Sequence, residues 1–382
     1  MSWSIGRRAA AMLSIVAAVS CGRAASAGQQ SATPIASPTS LRAGWNRIAG
    51  GPRTTCALGT PFAFFVEIGD PRKLMVYFQG GGACWDAATC DPRSKVRMYK
   101  PAVGEREPYR TGLLDVANSE NPVRDYTKVF VPYCTGDAHL GARTVAFDVP
   151  ASRTDSAHQF VVHHNGVANA AAALDWVYAH VPLPQTILVT GESAGSIPTP
   201  VYAAAVSKHY PRARVVQLGD GSGSYVNASG VTTSWRGLPG IRALNALPPL
   251  DSATLTYPEL YDLAAHASPR ITFAQINSAN DSTQAFFLRA VDRSSPTVQV
   301  LLAQNFTTIR RSVPSFRSYT IPGAMHTIIP RSEFYTTSVD GIRLRDWVAA
   351  LVDGAPVCPD DGRHNTPSSC VRDVGSSLLA AK

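Results

Sequence analysis

The chain is 382 residues long, 45% hydrophobic and 16% charged, with 29 Gly and 28 Pro. That is globular usage, and it excludes a disordered chain, a collagen-like repeat and a coiled coil. The formal net charge of +8 comes without a Lys/Arg block or interleaved aromatics, so no nucleic-acid partner is expected, and an acidic polysaccharide suits the charge slightly better.

Residues 1–27 read as a signal peptide: Arg7 and Arg8, an apolar stretch over 9–20, then small residues. Two cleavage patterns compete. Ala25-Ser26-Ala27 fits an A-x-A site, whereas Ala18-Val19-Ser20-Cys21 resembles a bacterial lipobox and would leave a lipid anchor on Cys21, the one membrane attachment expected. Either way the protein is exported, and loss of Arg7, Arg8 and Arg23 would leave a charge of +5. Residues 28–44 read as a flexible tether and 45–382 as one catalytic domain. After residue 20 no apolar run approaches the roughly 20 residues that span a bilayer.

Apart from Cys21, six cysteines remain, an even number that suggests disulfides in an exported chain. The pairs expected are Cys84 with Cys90, Cys358 with Cys370 and, by elimination, Cys56 with Cys134. A zinc site is the runner-up, but the spacings lack a paired C-x-x-C pattern, so no metal or other cofactor is expected.

From Pro61 onward, short apolar runs rich in β-branched and aromatic residues alternate with helical patterns, the signature of a mostly parallel sheet. Strands are expected at 62–68 and 73–79. The second ends in Gly80-Gly81-Gly82-Ala83-Cys84-Trp85. Glycines at a strand end let backbone amides turn toward a ligand, as in an HGGG-type oxyanion hole, a flexible turn being the plain alternative. A strand at 127–134 follows, and beyond it His139 is a candidate pocket residue. His163 and His164, adjacent and without an upstream partner, read as surface or loop residues rather than a metal pair. Val167, Ala170, Ala171, Leu174, Val177 and Tyr178 then share one helical face, marking a crossover helix.

The strand expected at 186–190 runs into Gly191-Glu192-Ser193-Ala194-Gly195, a G-x-S-x-G sequence followed by a helical stretch at 198–209. That context is what a nucleophile elbow requires, and Pro198 and Pro200 imply that the regular helix starts late. The next strand, 213–219, ends at Asp220. Residues 225–256 have little periodicity and read as an insertion or lid. Trp85 and Tyr225 are candidate substrate contacts, with packing as the plain alternative.

A serine needs a base, and in this architecture the acid and histidine follow it in the order Ser, Asp or Glu, His. After the strand at 270–277 comes Asp281, opening a helix at 282–292. After helix 296–310 and the strand at 317–321 comes His326, and a last helix is expected at 342–352. Of the two downstream histidines, His364 lies in a disulfide loop, leaving His326 as the base. Asp281 competes with Asp220 for the acid, and its plain alternative is a helix N-cap.

Tyr77 to Cys90 (YFQGGGACWDAATC), Val131 to Gly141 (VPYCTGDAHLG), VTGESAGS, QLGDGSGS at 217–224 and AQINSANDSTQ together resemble the pectin acetylesterase and Notum family of α/β-hydrolases, in its bacterial branch. The resemblance implies an α/β-hydrolase fold and a serine esterase with Ser193 as nucleophile, Asp281 as acid and His326 as base. It also implies an oxyanion hole of the Gly81, Gly82 and Ala194 amides. The expected substrate is an acylated carbohydrate such as acetylated pectin, with Trp85, His139 and Asp220 as candidate contacts. Two other readings are a broader lipase-like or polyester-cleaving esterase under an apolar lid at 225–256, and a surface-binding protein without activity. The presence of all three triad residues argues against the last.

Overall fold

The computed structural model describes residues 41–105, 108–153, 155–225, 255–358 and 370–380. The expected signal segment, Cys21, tether residues 28–40, insertion residues 226–254 and His364 lie outside the described residues.

Ten strands carry the architecture: β1 (Asn46–Ala49), β2 (Ala63–Glu67), β3 (Asp70–Phe78), β4 (Tyr126–Val131), β5 (Arg143–Val149), β6 (His158–His164), β7 (Thr186–Glu192), β8 (Arg214–Asp220), β9 (Thr272–Ser278) and β10 (Arg317–Ile321). Eight of them form one sheet in the order β1-β2-β4-β3-β7-β8-β9-β10, while β5 and β6 make a separate antiparallel hairpin. β2 runs antiparallel to both its neighbours, and every other pairing from β4 to β10 is parallel. This is the α/β-hydrolase order. The seven strands expected are all present; β1 and the β5–β6 hairpin are additions. His163 and His164, expected on a surface or in a loop, end β6, where His164 is buried with Nδ1 against the Thr135 carbonyl oxygen at 2.9 Å.

The parallel strands are apolar on both faces because both faces are covered. Leu74, Val76 and Phe78 of β3 and Ile187 and Val189 of β7 join a core with helices α1 (Gly166–His180), α2 (Thr199–His209), α3 (Tyr257–Ala267), α4 (Ser282–Val291) and α5 (Val298–Ser312). Met75, Tyr77 and Leu188 face the other way, against Trp347, Val348 and Leu351 of α6 (Leu344–Asp353). Each such side chain contributes about 1.5–3 kcal/mol by leaving water. The crossover helix α1 also buries Trp176 completely, a position outside the face read from its spacing. Among the described residues no helix is long and apolar enough to cross a membrane.

Strand order reverses between β3 and β7, and in open α/β sheets the crevice outside the carboxyl ends at such a switch point is where ligands bind. Gly80 to Gly82 follow β3, Ser193 follows β7, Asp220 ends β8, Asp281 follows β9 and His326 follows β10. Three disulfides brace the fold: Cys56–Cys134, Cys84–Cys90 and Cys358–Cys370, the pairs expected.

Candidate active site

Ser193 sits at φ 55°, left-handed backbone that a non-glycine residue adopts only under constraint. The constraint is the crossing of β7 and the following turn over the end of β3. A Cβ on Gly195 would fall 2.1 Å from the Phe78 carbonyl oxygen, and one on Gly191 would fall 2.3 Å from the Gly195 carbonyl oxygen. Only glycine fits at either position, so the turn lifts Ser193 above the sheet. A 3₁₀ turn over Ser193–Gly195 precedes α2, whose regular part starts at Thr199, beyond Pro198 and with Pro200 in its first turn. The late start implied by the two prolines is what is observed.

The Ser193 Oγ lies 2.8 Å from Nε2 of His326, and Nδ1 of the same ring lies 2.8 Å from Oδ2 and 3.0 Å from Oδ1 of Asp281. Asp281 is fully buried, whereas the His326 side chain keeps 18% of its surface exposed, so the carboxylate is shut off from solvent and the imidazole is not. Asp281 also caps α4, its Oδ1 accepting from the Thr283 and Gln284 amides, and Gln284 Nε2 donates to Oδ2 at 3.0 Å. One carboxylate therefore both contacts the His326 ring and caps the helix. The acid and histidine loops are joined by hydrogen bonds from the Asn280 amide to the Gly323 carbonyl and from the Ser282 amide to the Ala324 carbonyl.

The His326 turn is held from below by Asp220, whose Oδ2 accepts from the Ile328 and Ile329 amides at 2.6 and 2.8 Å. Arg331 donates to the Thr327 and His326 carbonyls. Asp220 is buried and, through these two amides, supports the histidine loop. Burial pushes its carboxyl up to about 7, with the Ile329 and Ile328 amides and the His326 ring opposing that rise.

His139 likewise sits in a structural network. It is buried, its Nε2 lies 2.8 Å from the Gln79 carbonyl oxygen, and its ring meets Phe78 and Tyr133. It steadies the chain that leads into the glycine triplet. Burial pulls its imidazole below the ordinary range, which keeps it neutral. Trp85 is half-buried against the main core, and Tyr225 is buried in it.

The glycine triplet passes directly over the nucleophile, since a Cβ on Gly80 would lie 2.7 Å from Cβ of Ser193. Gly82 takes φ 78° with the Met98 carbonyl oxygen where its Cβ would be. The segment is tied along its length: the Gly80 amide to Glu192, the Gly81 carbonyl to the Lys100 amide, the Ala83 amide to Met98 and the Cys84 amide to Gly136. The amides of Gly81, Gly82 and Ala194 have no hydrogen-bond partner among the described residues.

Glu192 was not singled out by sequence reasoning, nor were Gln79 and Tyr109. Glu192 occupies the variable position of the elbow motif, which marked the place but not its role. No metal or cofactor is needed by this arrangement: a hydroxyl, an imidazole, a carboxylate and uncommitted amides can carry acyl transfer.

A family model described as Pectinacetylesterase matches residues 49–302. Over 92 residues, 23% of this chain, the protein is 34% identical to the inactive palmitoleoyl-protein carboxylesterase notum1b of Danio rerio. Over 92 residues it is 30% identical to the palmitoleoyl-protein carboxylesterase NOTUM of Homo sapiens and 29% identical to notum1a of Danio rerio. These matches span 66% of the first relative and 18% of each of the other two.

Proposed function

The chain belongs to the pectinacetylesterase family, and from that membership we propose that it is a serine carboxylic-ester hydrolase with Ser193 as nucleophile, His326 as base and Asp281 as acid. The observation that carries the reading is the unbroken relay from Ser193 Oγ through His326 to Asp281 at hydrogen-bond distances. Similarity alone would not separate an active from an inactive protein, because one relative is named as inactive.

In the reaction, His326 Nε2 takes the Ser193 proton as Oγ attacks the ester carbonyl, and Asp281 holds the ring in the tautomer with the proton on Nδ1. The amides of Gly81, Gly82 and Ala194 receive the tetrahedral oxyanion, each donor of this kind being worth about 3–4 kcal/mol in the transition state. His326 then returns the proton to the leaving alcohol. Water, activated by the same ring, attacks the acyl-enzyme and releases the acid.

The proposed substrate is an acetylated polysaccharide of the pectin type, after the name of the family. A longer acyl chain is the second reading, favoured by the palmitoleoyl-protein esterases among the relatives. The three disulfides suit an oxidising compartment, and the proposed location is outside the cytoplasm, free or anchored at Cys21.

Acetate release from acetylated pectin and xylan, measured beside p-nitrophenyl esters of increasing chain length, tests the reading with the Ser193→Ala variant as control. Serine-dependent acetate release with short-chain preference is expected. Activity rising with chain length would shift the substrate to lipid-like esters, and full activity in Ser193→Ala would overturn the mechanism.

A further inference from the structure

Glu192 is buried beside the nucleophile, and its carboxyl spans the gap to the glycine segment. Its Oε2 accepts the Gly80 amide at 2.7 Å, and its Oε1 lies within hydrogen-bond distance of the Tyr109 hydroxyl, at 3.2 Å. Tyr109 Oη in turn accepts from Gln79 Nε2 at 2.8 Å, and the Gln79 Oε1 accepts the Tyr133 amide at 3.0 Å. This chain of contacts runs from the elbow through Glu192 to the two residues that precede Gly81.

We propose that Glu192 is the positioning residue of the oxyanion hole: by holding the Gly80 amide it fixes the peptide planes of Gly81 and Gly82, so that their N–H groups face the oxygen that becomes charged. This deepens the esterase reading above and rests on it. Three glycines in a row offer no side chains by which the segment could hold itself, and glycine backbone is the most expensive to immobilise. An external acceptor at its first residue adds a constraint at the end next to the nucleophile, and misplacing a donor by 1 Å is enough to cost about 100-fold in rate.

A carboxylate here would oppose the oxyanion, which is why its surroundings matter. Burial pushes Glu192 up to about 8, against the pull of the Gly80 amide, Lys100 and Tyr109, while Asp220 adds to the rise. Tyr77, buried on the other side of β3, feels the same group. At neutral pH the side chain is therefore mostly an uncharged acid. It keeps an acceptor on Gly80 without placing a negative charge beside the site.

The test compares Glu192→Met, which keeps length but loses the acceptor, with Glu192→Gln, which keeps it. In each variant, kcat, KM and the inhibition constant of a trifluoromethyl ketone ester analogue are measured, since that adduct carries the oxyanion. The Met variant is expected to lose about 100-fold in kcat and a similar factor in ketone affinity, with KM changed less than threefold. The Gln variant should recover most of both. Should the Met protein fail to fold, Tyr109→Phe decides, and a several-fold loss in kcat at constant KM is expected. Unchanged kcat in a folded Met variant, or in Tyr109→Phe when the Met protein is unfolded, would overturn the proposal while leaving the Ser193 mechanism intact. Ser193→Ala retaining activity would overturn both.

Discussion

The carboxylate of Asp281 accepts a hydrogen bond from His326 Nδ1–H at 2.8 Å while the same group caps the helix that begins at Ser282. One side chain thus fixes both the orientation of the ring and the start of α4. Replacing it separates the two roles. Asparagine is a competent cap, so Asp281→Asn should leave melting close to wild type, yet it should lower kcat about 10,000-fold by stabilising the wrong tautomer. Alanine should lose kcat similarly and cost about 1 kcal/mol more in stability for the missing cap. Thermal melts beside steady-state kinetics check this, and an Asn variant with near-normal kcat would exclude Asp281 as the acid.

The neutral state of Glu192 predicts an alkaline limb in the activity profile. Its carboxyl is pushed up to about 8, so raising pH through that value places a negative charge beside the developing oxyanion and should depress kcat/KM. Glu192→Gln cannot ionise, and its profile should stay level through the same range. Profiles of kcat/KM from pH 6 to 10 for both proteins provide the comparison; a limb that persists unchanged in the variant belongs to another group.

Asp220 makes a corresponding prediction for stability. A carboxyl pushed up to about 7 in the folded protein holds its proton where the unfolded chain has released it. Its contribution is therefore complete below the ordinary carboxylate pKa of about 4 and is lost as pH rises to about 7. Asp220→Asn keeps an acceptor for the Ile328 and Ile329 amides and removes that dependence. The melting temperature of the variant relative to wild type should rise across this window and level off above it. A constant difference would show that Asp220 is already ionised at low pH.

The disulfides should separate stability from activity. Cys56–Cys134 closes 78 residues, and its removal should cost about 4.5 kcal/mol on chain-entropy grounds, against about 2 kcal/mol for Cys84–Cys90, which closes 6. The smaller loop, however, starts two residues beyond Gly82. Paired Cys→Ser variants should show the larger melting shift for Cys56–Cys134 and, at a temperature where both are folded, the larger kcat loss for Cys84–Cys90.

The parallel strands, and the placing of Ser193, Asp281 and His326 at their ends, were legible because they depend on local pattern: apolar runs such as Ile187 to Thr190, small residues around Ser193, and loops at strand ends. β1 escaped notice because four residues with one buried side chain, Ile48, carry little periodicity. The β5–β6 hairpin did leave a signal, since Val145, Phe147 and Val149 alternate with exposed residues, but it lies off the main sheet. Asp220 and His139 were legible as residues near the site because each follows or ends a strand there; their hydrogen-bond partners Ile328, Ile329 and Gln79 lie far along the chain. Glu192 is the same case, its partner Gly80 lying 112 residues away. No short-range pattern encodes such a pairing.

If Ser193 is a nucleophile made reactive by His326, stoichiometric labelling will report it. The protein is treated with a fluorophosphonate, and the adduct is located by mass spectrometry of its peptides. One adduct on Ser193 is expected, with labelling slowed by several orders of magnitude in His326→Ala and absent in Ser193→Ala. Modification elsewhere, or labelling of Ser193 at an unchanged rate without His326, would contradict the account.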